Sequence, residues 1–430
     1  MKQSLEERNQ KIIAAVLEKE RRLCPGAVDL IGISGSFARG DYYDHSDLDL
    51  LILIHDERGK QLATAFIQED LQVGHDLYCT TWADMERLAA YHNPHLAKLM
   101  GSRIVYAAAP SYEERLETLR DRVRKIVTSA FTRADYEKAA RELARARQQS
   151  VLARDAGDLA VARKSAGRCI YCLESALMLL NKAYFRLGVK SCYQELMTLA
   201  CRPVALDQLL EKVVAATSGQ ALQDNLATLV REVEQVFRQV KEELPPAEPE
   251  AEELPPAETA AKPLPAARIG QQVSEAVNQE TIAITGQPAA TETGQSGGKA
   301  VKQLASSQPA ASVLTGTYEE MFSNWRNKMH LAATTGNRHL AFMSLISFDA
   351  MLEELRGEEA VAGMRNTDGA PLTLPGSEQA LGIYDPKDLG ATADHFDALL
   401  EEYRRICTSA GVRLQIYPDV DAFISAYVGG

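Results

Sequence analysis

Asp47 and Asp49 stand one residue apart at the head of an apolar run, Leu50 to Ile54, in the stretch GISGSFARGDYYDHSDLDLLILI of residues 32–54. If that run is a strand, alternate side chains point to opposite faces, so the two carboxylates share one side while Leu48 and Leu50 enter the core on the other. Like charges this close are costly without a cation between them. Hard oxygen donors in this arrangement suit Mg2+, which binds one or two carboxylates together with substrate phosphates. The preceding residues supply the other half of such a site. Gly35 and Gly40 permit a tight turn with exposed N–H groups, and Ser36 adds a hydroxyl, together a cradle for phosphate oxygens. Asp76, in QVGHDLY, is a third acid in a mostly apolar strand, where a carboxylate is out of place in a pure core. On a strand beside the second it would face the pair, binding a second metal or taking the proton of an attacking hydroxyl.

The spacing G-S-x3-G-x5-S-D-x-D-L, realised by Gly35, Ser36, Gly40, Ser46, Asp47, Asp49 and Leu50 with Asp76 downstream, resembles the DNA polymerase beta superfamily of nucleotidyltransferases. More narrowly, GSFARG followed by SDLDLLI and helical sequence looks like the minimal and aminoglycoside (kanamycin) nucleotidyltransferase branch. The resemblance covers residues 28–80. It implies that Gly35 and Ser36 hold a triphosphate, with Ser46 in the same nucleotide-binding set. Asp47 and Asp49 would ligate Mg2+, and Asp76 would be the general base or a ligand to a second ion. The implied reaction is attack of a hydroxyl, on a small molecule or a protein, on the α-phosphorus of a nucleoside triphosphate, ATP being the expected donor, with release of pyrophosphate. An alternative reading is an antitoxin-like interaction module on the same fold, whose C-terminal region recruits a partner.

Other residues carry two readings each. Arg39 either touches phosphate or pairs with Asp41 or Asp44. Lys182 and Lys190, in NKAYFRLGVKS, are lysines for the β- and γ-phosphates or members of a solvated helix face. His45, His55 and His75 are expected at surfaces and edges, because Mg2+ favours oxygen. Cys169 and Cys172 form a C-x-x-C inside a helical pattern without a second pair, which reads as buried thiols.

The elements that must position these groups are an α/β (α+β) domain with a mixed sheet, then a helical bundle, a linker and a mostly helical C-terminal region. A helix is expected over residues 2–23 and strands over 28–34, 48–54, 71–79 and 103–106, with a helix over 60–70. The catalytic domain is assigned to 1–108 and a helical, substrate-side domain to 109–243. Residues 244–316, with EELPPAEPEAEELPPAE and no aromatic anchor, are expected to be a disordered linker. Residues 317–430 are read as helices whose apolar faces need a partner; the simplest is the helical bundle.

Composition bounds the rest. A chain of 430 residues, 46% hydrophobic and 25% charged, buries sizeable cores. A net charge of -12 argues against a protein that grips nucleic-acid phosphate. No apolar run is long enough to span a membrane, and the charged MKQSLEERNQK start is unlike a signal peptide. The expected setting is the cytoplasm. Seven scattered cysteines are no disulfide framework. The acceptor, and whether the site is shared in a homodimer, are left open by the sequence.

Overall fold

A computed structural model describes residues 2–40, 42, 46–187, 192–244, 310–358 and 371–429, with 361, 363–365 and 369 between the last two segments. The segment read as a linker lies outside the described residues as far as 309; from Ala310 to Leu314 the chain is helical.

The apolar run after Asp49 becomes β2 (Asp49–Ile54), a central strand of a six-stranded mixed sheet ordered β5-β1-β2-β4-β3-β6. The others are β1 (Val28–Ile33), β3 (Thr64–Gln68), β4 (Val73–Thr81), β5 (Arg103–Ala107) and β6 (Ile416–Tyr417). Pairings are antiparallel except β2 with β4 and β3 with β6, which are parallel. β2 is apolar without alternation because both faces are covered. Leu50, Ile52 and Ile54 join Ile12 and Val16 of α1 (Lys2–Leu23) in one core. Leu51 and Leu53 join Trp82 and Met85 of α3 (Trp82–Ala89) in the other.

The expected helix over 60–70 is a correction. A 3-10 turn, Glu57–Leu62, leads into β3. In TAFIQ, Thr64 and Phe66 lie on one face and Ala65 and Ile67 on the other, a period of two that helical reading missed. β3 then turns back into β4 as an antiparallel hairpin.

The bundle comprises α5 (Pro110–Thr128), α6 (Arg133–Arg154), α7 (Leu159–Leu180), α9 (Leu206–Val214) and α10 (Gly219–Glu243). Thr132 and Asp135 form a reciprocal capping box at the start of α6. α7 is apolar nearly all round and is accordingly the buried helix. Cys169 and Cys172 are free thiols buried on it. No helix among the described residues is long and apolar enough to cross a membrane.

The C-terminal region packs on both preceding units. Against the bundle, Lys164 Nζ pairs with Glu353 Oε1 at 2.8 Å and Arg163 Nη1 donates to the Leu381 carbonyl at 3.0 Å. Against the sheet, β6 hydrogen-bonds along Ile67 and Gln68. The Val420–Gly429 helix covers α1, with Phe423 stacked on Phe66 at 3.5 Å between ring centroids. A π-helical turn, Phe322–Arg326, lies on β4 so closely that a Cβ added to Gly74 would stand 2.6 Å from Ser323 Cβ and 2.7 Å from its Cα. Gly74 is therefore the residue that lets the post-linker backbone rest on the catalytic sheet.

Candidate active site

The site is built at the leading end of β2 and the adjoining middle of β4. Asp49 and Asp76 are register partners in this parallel pair, so their side chains leave the sheet on the same face, one strand apart. Asp47 lies just before β2. Backbone bonds fix this approach residue by residue. Arg8 Nη2 donates to the Ser46 carbonyl at 3.1 Å, Leu48 N–H donates to His75 Nδ1 at 3.0 Å, and Asp76 N–H donates to the Leu48 carbonyl at 3.2 Å. Ser34 N–H donates to the Asp49 carbonyl at 2.9 Å.

His75 is thus a positioning residue. Its Nδ1 accepts from Leu48, so the ring proton sits on Nε2, which donates to Gln68 Oε1 at 3.2 Å. Full burial holds its pKa well below the usual range, which keeps the ring neutral. Arg8, which the sequence reading did not select, is also buried. Desolvation lowers its pKa to about 10, while the charge of Asp47 acts in the opposite direction.

The Gly/Ser turn comes after β1 as a single helical turn, α2 (Gly35–Arg39), closed by Gly40 at φ +81°, whose N–H donates to the Ser36 carbonyl at 2.9 Å. Gly35 has φ +66°, and a Cβ there would fall on Asp49 Oδ2. Both the backbone conformation and the space next to the acid demand glycine. Gly35→Ala is expected to lower transfer at least about 100-fold by displacing Asp49, since a small misplacement at a reacting centre has that cost; steady-state kinetics on the variant checks it.

Ser36 Oγ is buried and has no hydrogen-bond partner among the described residues. A buried hydroxyl left unsatisfied costs about 1–3 kcal/mol, so it fits a group that waits for a ligand oxygen. Ser36→Ala should therefore leave thermal stability unchanged or slightly raised while weakening triphosphate binding by about tenfold, the worth of one charge-assisted bond. Calorimetric melting and nucleotide titration on the same variant read the two effects separately.

Electrostatically the three acids act on one another. Burial pushes the Asp49 carboxyl up to about 7, with the charges of Asp47 and then Asp76 adding to the rise. Lys328 and Lys98 oppose it. Lys98, on α4 (Ala97–Gly101), lies with Nζ 3.7 Å from the centroid of the Tyr78 ring, two residues along β4 from Asp76. Lys328 is the second residue after the π-helical turn, on the far side of the linker in sequence. The sequence reading selected neither lysine. Three carboxylates, a hydroxyl awaiting a partner and two lysines fit a divalent cation carrying a triphosphate.

The other candidate residues divide between the site and the scaffold. Ser46 is buried next to Asp47, and Arg39 ends α2. Lys182 is not brought to the acids: its Nζ donates to Ser129 Oγ at 2.6 Å and to the Ser129 and Ala130 carbonyls at 3.0 and 3.1 Å, and lies 3.5 Å from Asp135. There it holds the end of α5 against α6, and the lysines whose charges act on Asp49 are instead Lys98 and Lys328. His55 Nδ1 lies 2.7 Å from Asp29 Oδ1, which ties it to β1 rather than to the acids. Asp41, Asp44, His45 and Lys190 lie outside the described residues.

A comparison with curated protein sequences found no match. Residues 10–99 match the family described as the nucleotidyltransferase domain, a span that holds Arg8's neighbours on α1, the Gly/Ser turn, all three acids and Lys98. With the mixed sheet and the paired acids, this match places the N-terminal unit in the polymerase beta-like nucleotidyltransferase superfamily, and the chain is a nucleotidyltransferase enzyme.

Proposed function

We propose that the chain transfers a nucleoside monophosphate, AMP from ATP in the first instance, to a hydroxyl acceptor. The observation that carries this reading is the register pairing of Asp49 with Asp76 beside Asp47 and the unpartnered Ser36 hydroxyl. Asp47, Asp49 and Asp76 would hold Mg2+, two ions in the family's pattern; bound there, the metal supplies charge stabilisation for the oxygens entering and leaving phosphorus. Gly35 and Ser36 orient the triphosphate, and Lys98 and Lys328 offset its charge. The acceptor oxygen forms a bond to the α-phosphorus as the bond to pyrophosphate breaks, and Asp76 accepts the hydroxyl proton.

A cavity of about 400 Å³ reaches Asp76, with Lys19, Thr64, Leu77, Phe423 and Tyr427 also in its lining; Asp47 and Asp49 do not line it. The aminoglycoside branch makes polyhydroxylated amines one acceptor class to try. Seven free cysteines suit a reducing, cytoplasmic setting.

The test is to incubate the protein with labelled ATP, GTP, CTP and UTP, Mg2+, and aminoglycosides, RNA or cell extract as acceptors. Label should move to an acceptor with stoichiometric pyrophosphate, fastest from ATP. Absence of metal-dependent pyrophosphate release with every triphosphate and extract would sink this reading.

A further inference from the structure

A second cluster of ligating side chains lies apart from the three acids. Glu174 on α7, Cys192 at the start of α8 (Cys192–Leu196) and His339 on the Arg338–Gly357 helix bring a carboxylate oxygen, a sulfur and an imidazole nitrogen within 4.8 Å of one another. We propose that these three residues form a zinc site that joins the bundle to the C-terminal region, independent of the magnesium site at Asp47, Asp49 and Asp76.

The geometry carries the proposal. Glu174 and His339 are buried, and His339 Nε2 lies 2.9 Å from Glu174 Oε1, so the ring nitrogen and the carboxylate already meet in one place. That one contact uses a single oxygen of Glu174 and a single ring nitrogen of His339. The thiol of Cys192 arrives from a third helix within the same small volume. Zinc bonds of about 2.0–2.3 Å place tetrahedral ligand atoms about 3.3–3.8 Å apart, so rotamer adjustments of about an ångström convert this cluster into a coordination shell. The Tyr193 ring packs on His339 at 5.1 Å between centroids and limits how the imidazole turns.

The donor set selects the metal. A thiolate, an imidazole and a carboxylate together suit zinc, whereas magnesium takes oxygen donors and keeps its waters. Three protein ligands leave the fourth position to water or to a further donor. α7 and α8 precede the linker in sequence and His339 comes after it, so a bound ion would cross-link two segments separated by more than a hundred residues of chain. None of the three residues is among the charges that act on Asp49.

The experiment uses the full-length protein, stripped of metal and titrated with Co2+ as a spectroscopic stand-in for zinc. A near-ultraviolet thiolate-to-cobalt band with intense visible bands, saturating at one equivalent and abolished by zinc, is the expected result. Cys192→Ser should lose the thiolate band, and Cys192→Ser and His339→Gln should each weaken zinc binding by at least about tenfold. Near-ultraviolet circular dichroism establishes that each variant folds. Asp49→Asn should leave the cobalt spectrum unchanged, which separates this site from the catalytic one. If the unmodified protein shows no stoichiometric thiolate band, or if Cys192 is alkylated equally fast with and without zinc, the cluster is a Glu–His pair beside a thiol and the proposal is overturned.

Discussion

Asp49→Asn is expected to lower nucleotidyl transfer by about three orders of magnitude or more while the fold survives, measured as pyrophosphate release at saturating Mg2+ and triphosphate. Asparagine keeps the shape and one acceptor oxygen but loses the charge that a divalent cation requires. Asp49 sits in register with Asp76 and two residues after Asp47, so its loss removes the acid that adjoins both. The same substitution removes one of three like charges. In the presence of a chelator the variant should therefore melt at or above the temperature of the unmodified protein, a gain in stability coupled to a loss of function. Retention of more than a tenth of the activity would move the metal site elsewhere.

The raised Asp49 carboxyl adds a pH dependence whose sign is set by linkage. With its folded pKa at about 7, above the usual carboxylate value, the metal-free folded state holds a proton that the unfolded chain releases. This group's contribution to stability therefore declines as pH rises from the ordinary carboxylate range through about 7. Metal binding runs the other way. Mg2+ must displace that proton, so affinity should rise about tenfold per pH unit below about 7 and level off above it. In Asp49→Asn both dependences should flatten. Melting with chelator and Mg2+ titration across the same pH series measure the two slopes.

The sheet that carries the candidate acids was legible because its signals are local. Alternation aims Asp49, glycine permits φ +66° at residue 35, and an unbroken apolar run marks a strand covered on both faces. Asp76 was readable as an acid out of place in an apolar strand, and register turned that oddity into a partner. β3 was misread as helix because five residues give too short a window for periodicity to decide. Lys182 stood out by type alone, and its ammonium is taken by the carbonyls that end α5. Arg8, Lys98 and Lys328 are single basic residues whose importance depends on tertiary placement. The C-terminal region illustrates the same limit: β6 is two residues long and pairs across nearly the whole chain.

Ending the chain at residue 244 is expected to abolish transfer and yield a poorly folded product, because the C-terminal region belongs to the catalytic unit. The truncated chain loses β6 from the sheet edge and leaves the outer edge of β3 at Ile67 and Gln68 without its strand partner. It uncovers the face of Phe66 on which Phe423 stacks, and it removes Tyr427, whose hydroxyl donates to the Leu62 carbonyl at 2.5 Å. It also removes Lys328 from beside Asp49. Co-production of residues 1–244 and 310–430 as separate chains should therefore restore a one-to-one complex on a sizing column and most of the activity. The covalent link contributes effective concentration. Lys328→Ala in the full chain separates chemistry from scaffolding. It should raise the KM for triphosphate about tenfold, the worth of one partly buried phosphate contact, with melting unchanged. If residues 1–244 alone fold with full activity, β6 and Lys328 are dispensable, and the close seat of Ser323 on Gly74 serves only packing.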